Sequence, residues 1–373
     1  MSVATLLALS AALHLYIGAR IVPALDSPAA GFTLAAVLAA SALLVPASML
    51  ARRLLRRPAA DRLTWAGMLF LGLFSSLFVL TLLRDLALLV AALAGWDPAG
   101  WREPSALAVP VAALALTTVG FFNARRTAAV RRVRIPLPGL DPRLEGFRIV
   151  QITDIHVGAT IQKEYLRAIV ERVNALDPDV VAITGDLVDG SVADLAQHVA
   201  PLAGLRARHG TYFVTGNHEY YSGVHGWVAH LRELGLRVLH NEHVVLRQGG
   251  APLVLAGVPD YSGHHFDAAH RSDPAAALRG APPDAPRVLL AHQPRTAPAA
   301  AAAGFDLQVS GHTHGGQFLP WRFFVPLQQP YTAGLHQLGR LQVYVSRGTG
   351  YWGPPKRLGA PSEISELRLS REG

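Results

Sequence analysis

The heptapeptide GHTHGGQ, residues 311–317, contains two histidines, His312 and His314, that are separated by one residue and surrounded by glycines. Side chains two residues apart on an extended backbone point to the same side, so both imidazoles are predicted to face one place. The chain has 16 histidines in 373 residues, and a chance pair in a surface loop is the alternative for this peptide alone. Other segments must decide between the two interpretations.

Similar residues follow several other strand-like runs in the same part of the chain. In chain order these are Asp154 and His156, Asp186, Asn217 with His218, His292, and then His312 and His314. Taken singly, each is more often a turn former or a core histidine. Ligands of open α/β sheets bind just beyond the carboxyl ends of the strands, so five successive strand ends of this kind predict one shared site built from metal-ligand residue types.

Strand-like and helix-like stretches alternate from about residue 147 onward. FRIVQITDIH, VVAITGDLVDG and TYFVTGNHEYY are apolar runs that end in polar residues, and helix-like stretches at 161–175 and 192–204 separate them. Beyond residue 236 the pattern is rich in strands. This order predicts an α/β domain with two sheets between helices.

The first third of the chain is mostly apolar. Four segments have the length of about 20 residues that a membrane-spanning helix requires: 1–19, 31–50, 64–83 and 104–122. After Leu83, the pair Arg84 and Asp85 precedes a further apolar run to Ala94. We predict one long helix or an interfacial piece here, with the charged pair at a solvated boundary because charge deep in a bilayer is rare.

Arginines flank these segments in two clusters. One cluster lies between the second and third spans and the other follows the fourth: Arg52, Arg53, Arg56, Arg57, Arg62, and Arg125, Arg126, Arg131, Arg132, Arg134. The positive-inside rule predicts that both clusters, the N-terminus and the C-terminal domain are cytoplasmic; Arg20 alone favours the opposite orientation.

Composition excludes several classes of site. The net charge is +8 and the mean hydropathy is +0.27, but the arginines lie beside apolar segments, so a membrane surface is favoured and no nucleic-acid partner is expected. The absence of cysteine excludes disulfides and zinc–thiolate sites. We predict three parts: a transmembrane region 1–123, a basic linker 124–146 and an α/β domain 147–373.

The blocks DIH, GDLVDG, GNHE, AHQP and GHTH occur in this order and resemble the signature blocks of the calcineurin-like metallophosphoesterases, over about residues 147–370. The longer stretches GHTHGGQ, IPLPGL and SRGTGYWGPPKRLGAPSEISEL resemble a membrane-associated bacterial branch of that family. The resemblance implies a four-layer α-β-β-α sandwich after an all-α transmembrane region of about four helices, and a hydrolase of phosphoric ester or pyrophosphate bonds with two divalent metal ions.

The same resemblance implies the ligands. One ion would be held by Asp154, His156, Asp186 and His314, and the other by Asp186, Asn217, His292 and His312. Oxygen and imidazole donors without sulfur suit Mn²⁺, Fe or Zn²⁺, and Mn²⁺ or an Fe-containing pair is preferred. His218 would donate a proton to the leaving oxygen, with support of a ligand as its alternative role. Asp189 and Glu219 are expected to support ligands or to form turns.

The stretch SRGTGYWGPPKRLGAPSEISEL, termed the tail, suggests how a substrate is held. Arg347, Tyr351, Trp352 and Arg357 are candidate contacts to phosphate and to the membrane boundary, and an ordinary Gly/Pro loop is the alternative. We expect a multi-pass protein of the bacterial inner membrane whose substrate is a phosphorylated amphiphile in the lipid bilayer. A phosphatase or phosphodiesterase of soluble nucleotides, a regulatory domain of a four-helix membrane protein, and a scaffold without activity are the alternatives.

Overall fold

A computed structural model of the chain describes residues 2–97 and 99–371. It contains two compact units. Of the described residues, 2–97, 99–125 and 353–358 form the helical unit, and 126–352 and 359–371 form the α/β unit.

The helical unit consists of four long helices and one short one. Their bounds are α1 Val3–Ile21, α2 Pro28–Met49, α3 Ala51–Leu54, α4 Ala59–Leu93 and α5 Ala99–Arg125. The four long helices are each apolar enough and long enough to cross a membrane, which confirms the expected transmembrane region of about four helices. Ser2 and Ser27 accept hydrogen bonds from the first turns of α1 and α2 and so define where these helices begin.

Helix α4 has 35 residues without a break, which at 1.5 Å per residue is about 52 Å of helix. The segment that contains Arg84 and Asp85 is therefore part of one long helix. The expectation of a solvated pair is wrong for Arg84, which is buried and donates to Ser105 Oγ at 2.9 Å and to the Arg102 carbonyl at 3.0 Å. Asp85 accepts from Arg20 Nε at 2.8 Å. Carbonyls and side chains at the helix ends thus replace the water that this charge would otherwise need.

Six residues of the tail, Gly353–Leu358, belong to the helical unit. Lys356 is buried there and its ammonium donates to the carbonyl of Gly72 at 2.9 Å and to Thr117 Oγ1 at 3.2 Å. The main-chain N–H of Arg357 donates to the carbonyl of Gly120 at 2.9 Å. The peptide is thereby fixed by hydrogen bonds on both residues.

Up to residue 371, the α/β unit contains twelve strands and six α-helices. The strands are β1 Ala129–Pro136, β2 Arg148–Ile152, β3 Val180–Thr184, β4 Thr211–Val214, β5 Arg237–Val238, β6 Glu242–Gln248, β7 Ala251–Gly257, β8 Arg287–Leu290, β9 Leu307–Ser310, β10 Gly334–Leu338, β11 Leu341–Val345 and β12 Glu363–Ser370. The helices are α6 Lys163–Asn174, α7 Val192–Val199, α8 Asn217–Tyr221, α9 Val224–Glu233, α10 Pro274–Ala277 and α11 Ala297–Ala303.

These strands form two mixed six-stranded sheets, in the orders β1-β12-β2-β3-β4-β5 and β10-β11-β9-β8-β7-β6. In the first sheet β2 to β5 are parallel, and in the second β7, β8, β9 and β11 are parallel. Side chains of both sheets, such as Ile149 and Val180 from the first and Leu253 and Val309 from the second, share one buried apolar core. Helix α11 packs on the second sheet through Ala297 and Ala300. The expected α/β sandwich is confirmed.

One part of the predicted linker 124–146 is not a linker. Residues Ala129–Pro136 form β1, which pairs in parallel with β12 from Ala129 opposite Glu363 to Pro136 opposite Ser370. The arginines of this segment obscure its strand pattern in the sequence, and Arg132 Nε lies 2.8 Å from a carboxylate oxygen of Glu366 on β12. Charged residues on an edge strand also discourage pairing with other chains.

Candidate metal centre

The predicted site residues follow the carboxyl ends of strands in both sheets. Asp154 and His156 follow β2, Asp186 follows β3, and Asn217 begins α8 just after β4. His292 follows β8, and both His312 and His314 follow β9. Because β2, β3 and β4 are parallel neighbours, as are β8 and β9, their carboxyl ends lie along one edge of each sheet.

The structure gathers these residues into two groups of ligand atoms. In the first, His156 Nε2 lies 3.0 Å from His314 Nε2, which lies 3.6 Å from Asp154 Oδ1. In the second, His292 Nε2 lies 3.1 Å from Asp186 Oδ2 and 3.1 Å from His312 Nδ1. Asp186 Oδ2 is also 4.0 Å from His156 Nε2, so this carboxylate lies between the groups.

Most of these residues have an unusual backbone conformation. The φ angles of five non-glycine residues are positive, between 50° and 71°: Asp154, His156, Asp186, His312 and His314. Such conformations cost roughly 1–3 kcal/mol each and tend to cluster at functional sites. They also show that His312 and His314 are not on the extended backbone that was predicted for them. Each imidazole instead joins a different group.

Glycines make room for the two carboxylates. A Cβ atom on Gly311 would lie 2.2 Å from Asp154 Oδ2, and one on Gly216 would lie 2.3 Å from Asp186 Oδ1. Both distances are far below van der Waals contact. The glycine before His312 is therefore required by the neighbouring ligand and not only by the turn.

One buried oxygen supports the presence of a cation. Asn217 Oδ1 is buried and has no hydrogen-bond partner among residues 2–97 and 99–371. An unsatisfied buried acceptor costs about 1–3 kcal/mol, which coordination to a metal would remove. The residues on both sides of Asn217 contact Asp186, since the His218 N–H donates to Asp186 Oδ1 at 2.9 Å and Gly216 lies against that oxygen. The side chains of both groups and Asn217 therefore fit a centre of two divalent cations.

Two histidines are oriented as metal ligands through their Nδ1 nitrogens. His292 Nδ1 lies 2.7 Å from the Thr184 carbonyl oxygen, which can only accept, so the Nδ1–H donates and Nε2 is the nitrogen that faces Asp186. His156 Nδ1 lies 3.1 Å from Asp189 Oδ1 and donates in the same way. Metal-binding histidines are usually held like this through their other nitrogen.

The electrostatics of the groups also favour cations. Burial raises the pKa of Asp154, and the nearby charge of Asp186 raises it further. Burial opposes ionisation of Asp186, but His292 outweighs it and holds the pKa of that carboxyl well below its ordinary value. Burial and the positive charge of His292 lower the pKa of His312 to about 3. His312 is thus neutral, the form that binds a metal.

His218 is adjacent to these groups and is paired with Asp189. Its Nδ1–H donates to Asp189 Oδ1 at 2.6 Å, and its Nε2 is 4.0 Å from Asp186 Oδ2. Burial lowers the pKa of His218, but the hydrogen bond to Asp189 and the charges of Asp186, Asp189 and Glu219 outweigh it and raise the pKa to about 9. His218 is therefore protonated at neutral pH and can donate a proton. Asp189 holds His156 and His218 at once.

Glu219 lies behind the centre and supports it. Its carboxylate accepts hydrogen bonds from the main-chain N–H groups of Asp186, Leu187 and Gly216, at 3.0, 2.8 and 2.6 Å. Burial and the charge of Asp186 raise its pKa to about 7. It joins the loop after β3 to the loop after β4.

The four predicted substrate contacts of the tail lie in different environments. Trp352 is 55% exposed, and its ring lies edge-on to His218 with centroids 5.9 Å apart. The stem of Arg347 lies beside Gly315, and its guanidinium is 3.5 Å from Glu363 Oε2. Tyr351 is buried, and its hydroxyl donates to the Thr160 carbonyl. Arg357 is buried in the helical unit.

Two features near the centre were not predicted. Gln317 Oε1 accepts from the Trp352 N–H at 2.8 Å and its Nε2 donates to the Trp352 carbonyl at 2.9 Å. The position of Gln317 at the end of the motif GHTHGGQ was the signal in the sequence that could have identified it.

The second feature, termed the apolar loop, is residues 318–327. Its exposed large side chains are Leu319, Trp321, Phe323, Phe324 and Leu327. The Cα of Arg322 packs against Gly316, two residues after His314.

Comparison with known proteins agrees with this geometry. The family model of the calcineurin-like phosphoesterases matches residues 147–316. The chain is 44% identical over 276 residues to a bovine transmembrane protein with metallophosphoesterase domain, which covers 71% of this chain and 62% of the relative. It is 41% identical over 253 residues to a metallophosphoesterase of Helicobacter pylori (67% and 66%), and 35% identical over 300 residues to one of Campylobacter jejuni (79% and 78%).

The chain spans about 62% of the length of the bovine relative. Animal as well as bacterial proteins are among these relatives, so the resemblance is not confined to a bacterial branch. Four observations indicate the same family: the order of the motifs, the two-sheet fold, the two groups of ligand atoms and the relatives. The chain belongs to the calcineurin-like metallophosphoesterases and carries, near its N-terminus, four helices long and apolar enough to cross a membrane.

Proposed function

We propose that the protein hydrolyses a phosphoester or pyrophosphate bond of a phosphorylated amphiphile at the membrane, with its α/β unit in the cytoplasm. The observation that supports hydrolysis most directly is the pair of ligand groups that share Asp186, with the His218–Asp189 pair beside them. The amphiphilic substrate and the orientation are supported by the surfaces described below.

In this proposal Asp154, His156, Asp186 and His314 hold one ion, and Asp186, Asn217, His292 and His312 hold the other. Mn²⁺ or an Fe-containing pair is preferred over Zn²⁺ for this set of oxygen and imidazole donors. When bound, two divalent ions would lower the pKa of a water ligand and neutralise charge on phosphoryl oxygens. The chain contributes the shared carboxylate, the two imidazoles held by Thr184 and Asp189, and the otherwise unsatisfied oxygen of Asn217.

His218 donates the proton that the leaving oxygen requires. Its Nδ1–H is committed to Asp189 at 2.6 Å, which leaves Nε2 to face the centre. The side chain is 17% exposed, so a substrate can approach it. The aromatic rings of Tyr221 and Trp352 lie 5.2 and 5.9 Å from its ring and border that approach.

The surface around the centre supports an amphiphilic substrate. The five exposed apolar residues of the apolar loop begin within five residues of the ligand His314, and Trp352 adds an exposed indole beside His218. Contiguous exposed apolar side chains on a folded domain usually mark a binding surface, and tryptophan favours the membrane–water boundary. Arg347 is the proposed phosphate contact, because its stem lies beside Gly315. Tyr351 and Arg357 are buried and are proposed to stabilise the packing of their units.

The orientation rests on the two arginine clusters. Four spans place the N-terminus and the residues after α5 on the same side, and both clusters of five arginines lie on that side. The positive-inside rule makes it the cytoplasm, and a bacterial inner membrane is the proposed location. A fluorescent protein fused after residue 373 should be active there, whereas a periplasmic alkaline phosphatase fusion should be inactive.

A role of the α/β unit as regulator of a transporter is less well supported. The ring nitrogens of His14 are bonded to the Ser10 carbonyl at 2.7 Å and to Ser41 Oγ at 2.8 Å. Thr81 donates to the Leu77 carbonyl at 2.7 Å. These polar groups of the helices are satisfied within the unit and do not need a transported solute.

The substrate proposal is tested by comparing substrates in detergent micelles. Lipid phosphomonoesters, lipid diesters and nucleotide-linked lipids are compared with soluble nucleotides and nitrophenyl phosphate, with Asp186→Asn as the inactive control. We expect the highest kcat/KM for one of the lipids, and a fall for that lipid alone when Phe323 and Leu327 are changed to Ser. If a soluble nucleotide gives a higher kcat/KM than every lipid, the lipid proposal fails and the hydrolase stands.

A further inference from the structure

A third group of possible ligands lies in the α/β unit, apart from the metal centre. It consists of His225, the second residue of α9, and of Asp267 and His270, in the segment between β7 and α10. Asp267 Oδ2 lies 3.3 Å from His225 Nε2 and 3.8 Å from His270 Nε2. All three ligand atoms lie within 4.8 Å of one another. None of these residues is part of the motifs that identify the family.

Hydrogen bonds outside the group orient two of its members. His270 is buried, and its Nδ1 is 2.9 Å from the hydroxyl of Tyr220, so its Nε2 is the nitrogen that faces Asp267. The other carboxylate oxygen of Asp267, Oδ1, accepts from the Ala269 N–H at 2.9 Å, which leaves Oδ2 for the group. A histidine held through one nitrogen with the other directed at an acidic oxygen is typical of metal ligands.

The distances suit a small cation better than hydrogen bonds alone. With bonds of about 2.0–2.1 Å, the ligand atoms of tetrahedral zinc lie roughly 3.3–3.4 Å apart. The separation of Asp267 Oδ2 from His225 Nε2 is 3.3 Å, close to that value. The 3.8 Å between Asp267 Oδ2 and His270 Nε2 is too long for a hydrogen bond and shortens by only a few tenths of an ångström on coordination.

We propose that His225, Asp267 and His270 bind a third divalent ion of the zinc class, with the fourth position open to water. Three protein ligands of the His₂Asp type are sufficient for zinc. His225 is well exposed, which gives the ion a route from solvent. The site has a single carboxylate, whereas the paired centre has two, so its affinity is expected to be lower.

The position of this site connects it to the proposed active site. Tyr220, the partner of His270, belongs to α8, the five-residue helix that also contains Asn217 and His218. Phe266, next to Asp267, packs on both Tyr220 and Tyr221, with ring centroids 5.5 and 5.6 Å apart. An ion that fixes His270 therefore also restrains α8. This consequence rests on the proposed function, whereas the binding itself does not.

Zinc stoichiometry in the intact, untagged protein tests the proposal, since a polyhistidine tag would itself bind zinc. The full chain in detergent micelles is stripped with a chelator, dialysed against equal free Zn²⁺, and analysed by inductively coupled plasma mass spectrometry. We expect the wild type to retain one more zinc per chain than His225→Ala and Asp267→Asn. His265→Ala is the matched control, because this exposed histidine of the same segment contacts the ring of His264 outside the group. This variant should retain the wild-type zinc content.

The activity of the same variants separates this proposal from the proposed function. His225→Ala should keep most of its turnover of nitrophenyl phosphate at saturating metal while losing one zinc equivalent. Equal zinc content in the wild type, His225→Ala and Asp267→Asn would overturn the third site, whatever the activity. Loss of one equivalent in a protein without activity on any phosphoester would retain the site and overturn the function.

Discussion

The helical unit and the metal centre both bury polar side chains, and they do so in opposite ways. In the helices, His14, Thr81 and Arg84 are bonded to neighbouring carbonyls and side chains. At the centre, Asn217 Oδ1 has no hydrogen-bond partner in the part of the chain that is described, and five ligand residues have positive φ angles. A satisfied buried group stabilises its own unit. Groups that are strained, unsatisfied and convergent are stabilised only when something else binds.

The largest effect is expected from Asp186→Asn, which removes the charge shared by both ligand groups. Turnover should fall to background, and the protein should lose metal from both positions because each group then has one anionic ligand fewer. Metal content per chain and kcat at saturating Mn²⁺ are the measurements. Two ions per chain retained by the variant would contradict the ligand assignment.

A smaller loss is expected from His218→Ala. The variant should retain its metals and lose about 10²–10⁴-fold in kcat, the usual contribution of general acid–base catalysis. The loss should be smallest for nitrophenolate, a leaving group that needs no proton. A fall in metal content would instead show that His218 is a ligand. The matched control is Tyr221→Ala, which removes a ring beside His218 and leaves the imidazole in place.

The pH dependence of Asp189→Asn distinguishes positioning from direct catalysis. Asp189 helps to raise the pKa of His218 to about 9, so the protonated acid persists through neutral pH and is lost as pH rises through that value. Removing the charge lowers the pKa, and the alkaline fall of kcat should therefore move to lower pH. Metal affinity should also weaken by about 10–100-fold through His156, so the profile is measured at saturating metal. An unchanged profile would remove Asp189 from this role.

The smallest effect on turnover is expected in the helical unit. His14→Ala leaves Ser41 and the Ser10 carbonyl without this partner and removes the ring stacked on Phe74. We expect a loss of about 1–3 kcal/mol in the stability of the helices and kcat within about twofold of the wild type. Thermal unfolding in micelles and steady-state kinetics measure both. A large loss of kcat with unchanged unfolding would give His14 a function and break the contrast between the two regions.

The sequence by itself predicted the four long apolar helices and the residues that converge in the two groups. Membrane-spanning segments can be predicted because they depend on local hydropathy. The predicted ligands lie in short motifs at strand ends, where residue type and order are informative without coordinates. Only the tertiary structure decided that β1 belongs to a sheet, because its partner β12 lies more than 200 residues away.

Contacts between residues far apart in the sequence also explain the other features that the sequence did not predict. Arg84 is buried because α1 and α5 supply carbonyls that no local pattern reveals. His225 and His270 meet through the packing of α9 against a distant loop, and Asp189 reaches both His156 and His218 only after the turn beyond β3 has formed. Hydropathy and motif type are local properties of a sequence, whereas the satisfaction and convergence of polar groups depend on which segments the fold brings together.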